Sequence, residues 1–417
     1  MKPFRLPVAP LLVLASVPWL AACPGGDGDR SAPEAPAGAV MAPRFEVDPF
    51  WPKPLPNHWI LGPAIGVAVD SRDHVWIVHR NSPELFGRFN EIGAAQVPPV
   101  SECCVPAPPV LEFDPDGNLV GHWGGPNDTG EYEWPESNHG IVVDHMDNVW
   151  IGGNGGPDAH ILKFTRDGRF LLQVGRSGAR ATGETREDGR AVFARDSHDT
   201  ESFGRVAKIS FDAEANEMYV ADGYFNRRVV VIDADTGAFK RFWGAYGEPP
   251  DDEIDLGRYS PELPPAPQFR GPVHCADLSV DALLYVCDRA ADRIQVFHKD
   301  GTFVQEVFIA PETLAQGSTW DVAFSEDPDQ TFLYLADGQN QKVHVIDRAS
   351  MEVLTTFGDG GRQPGLFFAV HSIATDSKGN IYTTETYEGK RLQKFVNQGL
   401  RPVTPGDQGA PWPSAER

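Results

Sequence analysis

Short apolar runs alternate with polar turns along most of the chain, and the clearest stretch is Phe269 to Phe308, FRGPVHCADLSVDALLYVCDRAADRIQVFHKDGTFVQEVF. Runs rich in Val, Ile, Leu, Phe and Tyr, bounded by turn residues, read as strands. They predict one strand entered through His274, then Leu283 to Cys287, Arg293 to His298 and Thr302 to Phe308, with turns at Ser279 to Ala282 and Lys299 to Gly301. Asp300-Gly301 marks a tight hairpin. Together these make one antiparallel sheet of four strands.

A lone sheet of this kind leaves a face unburied, so copies must stack against it. The phrase of an apolar residue, Asp, a few turn residues and an apolar-aromatic-apolar run recurs at Val67 to Val78, Ile141 to Ile151, Ile209 to Ala221, Val322 to Ala336 and Ile373 to Thr383. Six units in all predict an all-β, six-bladed β-propeller of four-stranded antiparallel blades. The sixth unit ends after its third strand, Arg391 to Val396, where an open edge would be a liability. Arg44 to Asp48, RFEVD, has strand character and is expected to supply the missing outer strand and close the ring.

The propeller is thus assigned to residues 44–396, followed by a proline-rich tail, 397–417. Residues 1–23 read as a leader: Lys2 and Arg5 precede an apolar run ending in Leu20-Ala21-Ala22-Cys23, which resembles a bacterial lipobox. Cys23 would then be the lipidated first residue of the mature protein; an ordinary secretory signal is the competing reading. Pro24 is not the Asp that retains lipoproteins in the inner membrane, so the outer membrane or periplasmic face of the cell envelope is the expected location. Residues 24–43 are rich in Gly, Ala, Pro and Asp, as in a flexible linker. A formal net charge of -23 argues against nucleic acid and anionic lipid surfaces as partners, leaving the acyl anchor as the expected tie to a membrane. A monomer is expected.

Beyond Cys23 four cysteines remain. Cys275 and Cys287 fall on strands predicted to be adjacent, so a bridge between them is expected, whereas Cys103 and Cys104 are compatible with a vicinal disulfide or with free thiols. Three stretches interrupt the repeat, Asn81 to Pro109, Arg176 to Ser202 and Tyr246 to Pro267, and are expected to surround one mouth of the propeller.

The candidate chemistry lies in the repeat register. His139 lies five residues before Asp144, His371 five before Asp376, and His274 five before Ser279, while the same slot in units one, three and five holds Ile65, Ala207 and Trp320. Innermost strands line the channel of a propeller, so equivalent positions share one height. Three imidazoles from alternate blades then converge with approximate threefold symmetry, a ligand set for catalytic zinc with an open fourth position. Three unrelated channel histidines bonded to water or backbone remain the competing reading. Arg80, Tyr224 and Arg289 follow second strands, near the channel mouth. A tyrosine beside two guanidiniums and a zinc ion can ionise below its ordinary value of about 10 and act as a base.

The motifs VHR (Arg80), NHGI (His139), ADGYFNRR (Tyr224), FRGPVH (His274), CDRAADRIQVF (Arg289) and AVHSI (His371) resemble those of the peptidyl-alpha-hydroxyglycine alpha-amidating lyases, on an NHL-type repeat, over residues 44–396. The resemblance implies that the three histidines bind zinc, Tyr224 is the base, and Arg80 and Arg289 hold the substrate carboxylate and assist the tyrosine. It implies cleavage of a peptidyl- or N-acyl-alpha-hydroxyglycine to an amide and glyoxylate. This chain departs from the family at Ser372, where an Asp helps a structural Ca2+, at Phe225, where a cysteine is usual, and at Val273, an extra residue. A non-catalytic NHL propeller binding a peptide or envelope protein, and a propeller lyase or lactonase acting on another small carboxylated substrate, are the alternatives.

Overall fold

The recurring aspartate explains how the first hairpin of units one, two and six is held. In the computed structural model, which describes residues 39–86, 91–404, 406 and 408–412, Asp70 Oδ1 accepts from the backbone N–H of Arg72 and His74, closing the first hairpin. Its Oδ2 accepts from Trp76 Nε1 at 3.0 Å, tying that hairpin to the buried aromatic residue of the next strand. Asp144 repeats this with Met146, Asn148 and Trp150, and Asp376 with Lys378, Asn380 and the Tyr382 hydroxyl. The sequence phrase is therefore a turn cap and a core tether in one side chain.

Six four-stranded antiparallel blades result. Blade 1 comprises Ala64–Val69, Val75–His79, Val110–Phe113 and Leu119–Trp123, and blade 2 Asn138–Val143, Val149–Gly153, His160–Phe164 and Phe170–Gly175. Blade 3 is Lys208–Asp212, Glu217–Asp222, Arg228–Asp233 and Phe239–Trp243; blade 4 is Val273–Leu278, Leu283–Asp288, Arg293–His298 and Phe303–Phe308. Blade 5 is Asp321–Phe324, Phe332–Asp337, Lys342–Asp347 and Val353–Phe357. Blade 6 takes Val370–Thr375, Ile381–Glu385 and Arg391–Val403 from the end of the chain and Val40–Asp48 from its beginning.

The first strands of successive blades touch one another in an unbroken circuit, including blade 6 against blade 1. Between every pair of neighbouring blades lies one apolar cluster, so the core is six wedges around an axis. Closure by the early strand follows the expectation, with pairing from Val40↔Val403 to Asp48↔Lys394, longer at both ends than Arg44 to Asp48 and Arg391 to Val396. Phe45 and Val47 are buried by it, a contribution of roughly 1.5 to 3 kcal/mol each. Cys23, expected to be lipidated, and the expected linker as far as Gly38 lie outside the described residues.

The three irregular stretches pack on the loops that follow second strands. Arg195 Nε donates to Phe225 O at 2.6 Å, Arg293 Nη1 donates to Ala266 O at 3.0 Å, and Lys390 pairs with Glu91 at 2.7 Å. Two of them are not irregular throughout, because Val105–Pro106 pairs in parallel with Trp59–Ile60, and Ala181–Thr185 and Ala191–Phe193 form an exposed hairpin. Cys275 and Cys287, register partners on adjacent strands, are joined by a disulfide with Cα atoms 4.9 Å apart. Cys103 and Cys104 are joined as a vicinal pair.

Candidate metal centre and its surroundings

At the slot found in the sequence, the first-strand ladder slips in each histidine-bearing blade. Pairing jumps from Val273 to Cys275, from Val370 to Ser372 and from Asn138 to Ile141, leaving His274, His371 and His139 out of the ladder. A bulge re-aims a side chain. Here all three imidazoles turn inward, with ring centroids 4.8 to 5.2 Å apart and all three residues buried.

The slots without histidine complete the arrangement. His139 Nδ1 faces Ala207 O at 2.6 Å, His371 Nδ1 faces Ile65 O at 2.7 Å, and His274 Nδ1 faces Trp320 O. Each carbonyl belongs to the slot residue of the next blade and can only accept, so each Nδ1 carries the proton. That fixes the tautomer, and each Nε2 keeps a lone pair. Gly140 permits one of these contacts, since a Cβ there would lie 2.8 Å from Ala207 O. Burial, more than the neighbouring guanidiniums and imidazoles, holds the pKa values of His139 and His274 well below the ordinary range; burial, then Arg289, lowers that of His371 to about 3. All three are neutral at neutral pH, the form that ligates a metal.

Tyr224 sits on this ring. Its hydroxyl lies 2.9 Å from both His139 Nε2 and His274 Nε2, and accepts from Arg289 Nη1 at 3.1 Å. Gly223 makes that position possible, because a Cβ would fall 2.1 Å from Val273 N. The loop is locked by Asp222, which accepts from Asn226 Nδ2 and Arg228 Nε, both at 2.8 Å, with the Asp222 and Arg228 side chains almost wholly buried. Blade 4 repeats the device, with Asp288 binding Arg293 at 2.8 Å and Arg289 following. The Arg289 guanidinium stacks over Trp320 at 4.6 Å and leaves its buried Nε unbonded. Arg80 donates to Asn154 Oδ1 at 2.8 Å and Asn138 O at 3.3 Å, and burial lowers its pKa.

Three imidazole lone pairs and one hydroxyl converge, the hydroxyl also held by the Arg289 guanidinium, and the three neutral imidazoles are a donor set suited to zinc. The other combinations of potential ligands are less so. Asp70, His74 and Glu112 are tied to Arg166, Cys275 is in its disulfide, and the Asp196, His198 and Asp252 group is largely exposed, with Asp252 bonded to Ser197. One residue beyond the histidine slot, Lys208 Nζ lies 2.8 Å from Asp277 and contacts Asp321, whose other oxygen accepts from Ser372 Oγ at 2.6 Å. Burial opposes the ammonium, but the two carboxylates outweigh it and raise its pKa; burial pushes Asp277 up to about 7. At the position where a calcium-assisting Asp is expected, the chain therefore has Ser372 beside a carboxylate already served by its own ammonium.

The register also reveals residues passed over in the sequence. Arg80, Asn154 and Arg289 occupy the same position, immediately after the second strand of blades 1, 2 and 4. Tyr387 stands two residues after Glu385 as Tyr224 does after Asp222, and its hydroxyl donates to Gln316 Oε1 at 2.9 Å. Gln316, which also accepts weakly from Arg289 at 3.4 Å, lies between blades with no register to betray it.

No protein-family model matches the chain. It is 26% identical over 355 residues to peptidyl-glycine alpha-amidating monooxygenase B of Xenopus laevis, covering 82% of this chain and 34% of that protein. It is 24% identical over 378 residues to peptidyl-alpha-hydroxyglycine alpha-amidating lyase 1 of Drosophila melanogaster, covering 84% and 59%. The chain is thus weakly similar in sequence to amidating enzymes. It is also 24% identical over 373 residues to NHL repeat-containing protein 3 of Mus musculus, covering 85% and 84%. The chain thus spans about a third of the frog enzyme and 59% of the fly enzyme. Among solved structures, a streptogramin B lyase aligns with 86% of this chain and 98% of its own at 11% identity and a TM-score of 0.47.

Proposed function

We propose that this chain is a zinc-dependent carbon-nitrogen lyase that cleaves a peptidyl- or N-acyl-alpha-hydroxyglycine to an amide and glyoxylate. The observation that carries the reading is one hydroxyl, Tyr224, touching two of three converging imidazole nitrogens and a guanidinium. His139, His274 and His371 would hold the zinc, which supplies Lewis acidity toward a substrate oxygen.

The rest belongs to side chains of this chain. With its own proton given up to solvent, the Tyr224 oxygen takes the substrate hydroxyl proton, the substrate oxygen's electron pair becomes the aldehyde C=O, and the C–N bond breaks with its electrons going to nitrogen, which receives the proton from Tyr224. Arg289 donates to the Tyr224 oxygen and so places positive charge against it as it acts as a base. With Nε unbonded and Nη2 only weakly engaged, Arg289 retains donors for a carboxylate; Arg80, fixed by Asn154 and Asn138 O, is its counterpart across the ring. We further propose a monomer tethered to the cell envelope through Cys23.

The test is glyoxylate release from a simple N-acyl-alpha-hydroxyglycine by protein lacking residues 1–23 and loaded with zinc. Release that a chelator abolishes, and that His274→Ala lacks, is expected. A protein that holds one zinc yet releases no glyoxylate would refute this substrate and favour another small carboxylated one; a protein holding no zinc would favour the non-catalytic NHL propeller.

A further inference from the structure

Arg289 and Gln316 belong to the tyrosine's surroundings, yet their sequence neighbours line a different space. Ala290, Leu314 and Ala315 form one wall of a cavity of about 490 Å³. The facing wall is Gly257, Arg258, Tyr259 and Arg270, largely from the irregular stretch Tyr246 to Pro267. Tyr259 and Arg270 are shared with a second cavity of about 290 Å³, which Leu263, Pro264 and Phe308 make apolar. Two short segments, residues 289–291 and 314–316, thus serve the candidate site with one residue and these cavities with the next. The volumes are those of ligand-sized pockets, whereas the space bounded by the histidine ring, Lys208, Asp321 and Ser372 is only about 10 Å³. A substrate whose reacting end lies at Tyr224 must place the remainder elsewhere, and these cavities begin at the sequence neighbours of Arg289 and Gln316.

Charge says what that remainder is. The protein is strongly acidic, and the stretch itself carries Asp251, Asp252, Glu253, Asp255 and Glu262. Despite this, neither guanidinium in the cavity is ion-paired among the described residues. Arg270 Nη1 reaches only the carbonyls of Leu256 and Gly257, at 2.9 and 3.1 Å, and its guanidinium lies 5.8 Å from the Tyr259 ring. Arg258 is exposed and bonds to no other described residue. Two uncompensated guanidiniums in a concave surface attract an anion and can grip it bidentately.

We infer that this cavity is the subsite for the acyl or peptidyl part of the substrate, and that it selects a carboxylate on the residue preceding the hydroxyglycine. The inference rests on the proposed reaction for the identity of the substrate, and on the cavity alone for its preference for anions.

Two measurements separate these. Peptides with Glu, Gln or Lys before a terminal alpha-hydroxyglycine are compared by kcat/KM for glyoxylate release in wild type, Arg258→Ser and Arg258→Glu. The corresponding peptide amides, ending in Glu-amide, Gln-amide or Lys-amide, are titrated by calorimetry against the same proteins. Wild type is expected to favour Glu over Gln in both, by about fivefold, the worth of one well-placed exposed ion pair. Arg258→Ser erases the preference and Arg258→Glu turns it toward Lys, while a simple N-acyl substrate is unaffected. Glyoxylate released at rates blind to that side chain, with amides bound equally, would overturn the subsite and leave the lyase standing. No glyoxylate from any peptide, but Glu-amide binding that falls fivefold in Arg258→Ser, would overturn the reaction and support the subsite. Amides that bind none of the three proteins would overturn the subsite outright.

Discussion

Replacing Tyr224 by Phe removes one oxygen, and the structure says what goes with it. The hydroxyl makes two contacts at 2.9 Å to imidazole nitrogens and one at 3.1 Å to Arg289. The ring stays where it is, packed edge-on against His139 and His274 and beneath the Arg289 guanidinium. Arg289 keeps its stacking on Trp320 and its contact with Gln316. Loss of a hydrogen bond among partly compensated groups costs about 1 to 2 kcal/mol of stability. In a protein of this size that lowers Tm by only a few degrees. If Tyr224 transfers the proton, the kinetic loss is of another order, roughly 10² to 10⁴ in kcat, or about 3 to 5 kcal/mol of barrier. The histidine lone pairs remain, so bound zinc should persist. The assay is glyoxylate release with metal content and Tm measured on the same preparation. An unchanged KM with reduced kcat marks a group that acts in the transition state. Activity within about threefold of wild type would remove Tyr224 from the chemistry, and loss of zinc along with activity would make it a structural member of the metal site.

Two further substitutions probe the scaffold behind the site. Asp222→Asn leaves Arg228, almost wholly buried, without its counter-charge and should cost roughly 3 to 5 kcal/mol in denaturant unfolding; an unchanged midpoint would mean that the pair does not hold the tyrosine loop. His79, whose ring bonds Gly62 N and faces Pro108 O beside Arg80, is buried, and that burial lowers its pKa to about 4. Its folded pKa lies below the unfolded value near 6.5, so its contribution is complete above that value and declines as pH falls toward 4. Between pH 7 and 5 wild type should lose about 2 kcal/mol more stability than His79→Gln, and equal losses in urea titrations at the two values would contradict the linkage.

Much of this was legible because a repeat converts sequence offsets into positions in space. The histidine slot could be read by counting from the turn residue that ends each first strand, Arg80, Tyr224 and Arg289 by where second strands end, and the closing strand by asking what covers an open edge. Asn154 and Tyr387 obey the same register and were readable in principle. Their residue types, however, carry no signal until a partner, Arg80 or Gln316, is seen beside them. Lys208 was hidden for a different reason. A lysine on a strand reads as a solvated charge, and only the closing of the ring brings it to Asp277 and Asp321 from blades 4 and 5. Gln316 and the cavity walls lie outside the repeat, where loop conformation follows from packing that no period encodes.

The alternation of histidine with other residues around the channel has a physical reason that the sequence displayed without explaining. Each imidazole needs an acceptor for Nδ1–H, and it finds one on the backbone of the next blade at Ala207, Trp320 or Ile65. With centroids already 4.8 to 5.2 Å apart, three rings fill the circle. A fourth imidazole at the same height would displace one of these rings or bring a further lone pair or proton into a space of about 10 Å³. Six blades thus divide into three that present nitrogen to the axis and three whose carbonyls fix its tautomer. Residues 65, 207 and 320 act through backbone oxygen, so their side chains are free to differ, as Ile, Ala and Trp do. Trp320 uses that freedom to carry the Arg289 guanidinium on its ring face, which links the histidine circle to the arginine bonded to Tyr224.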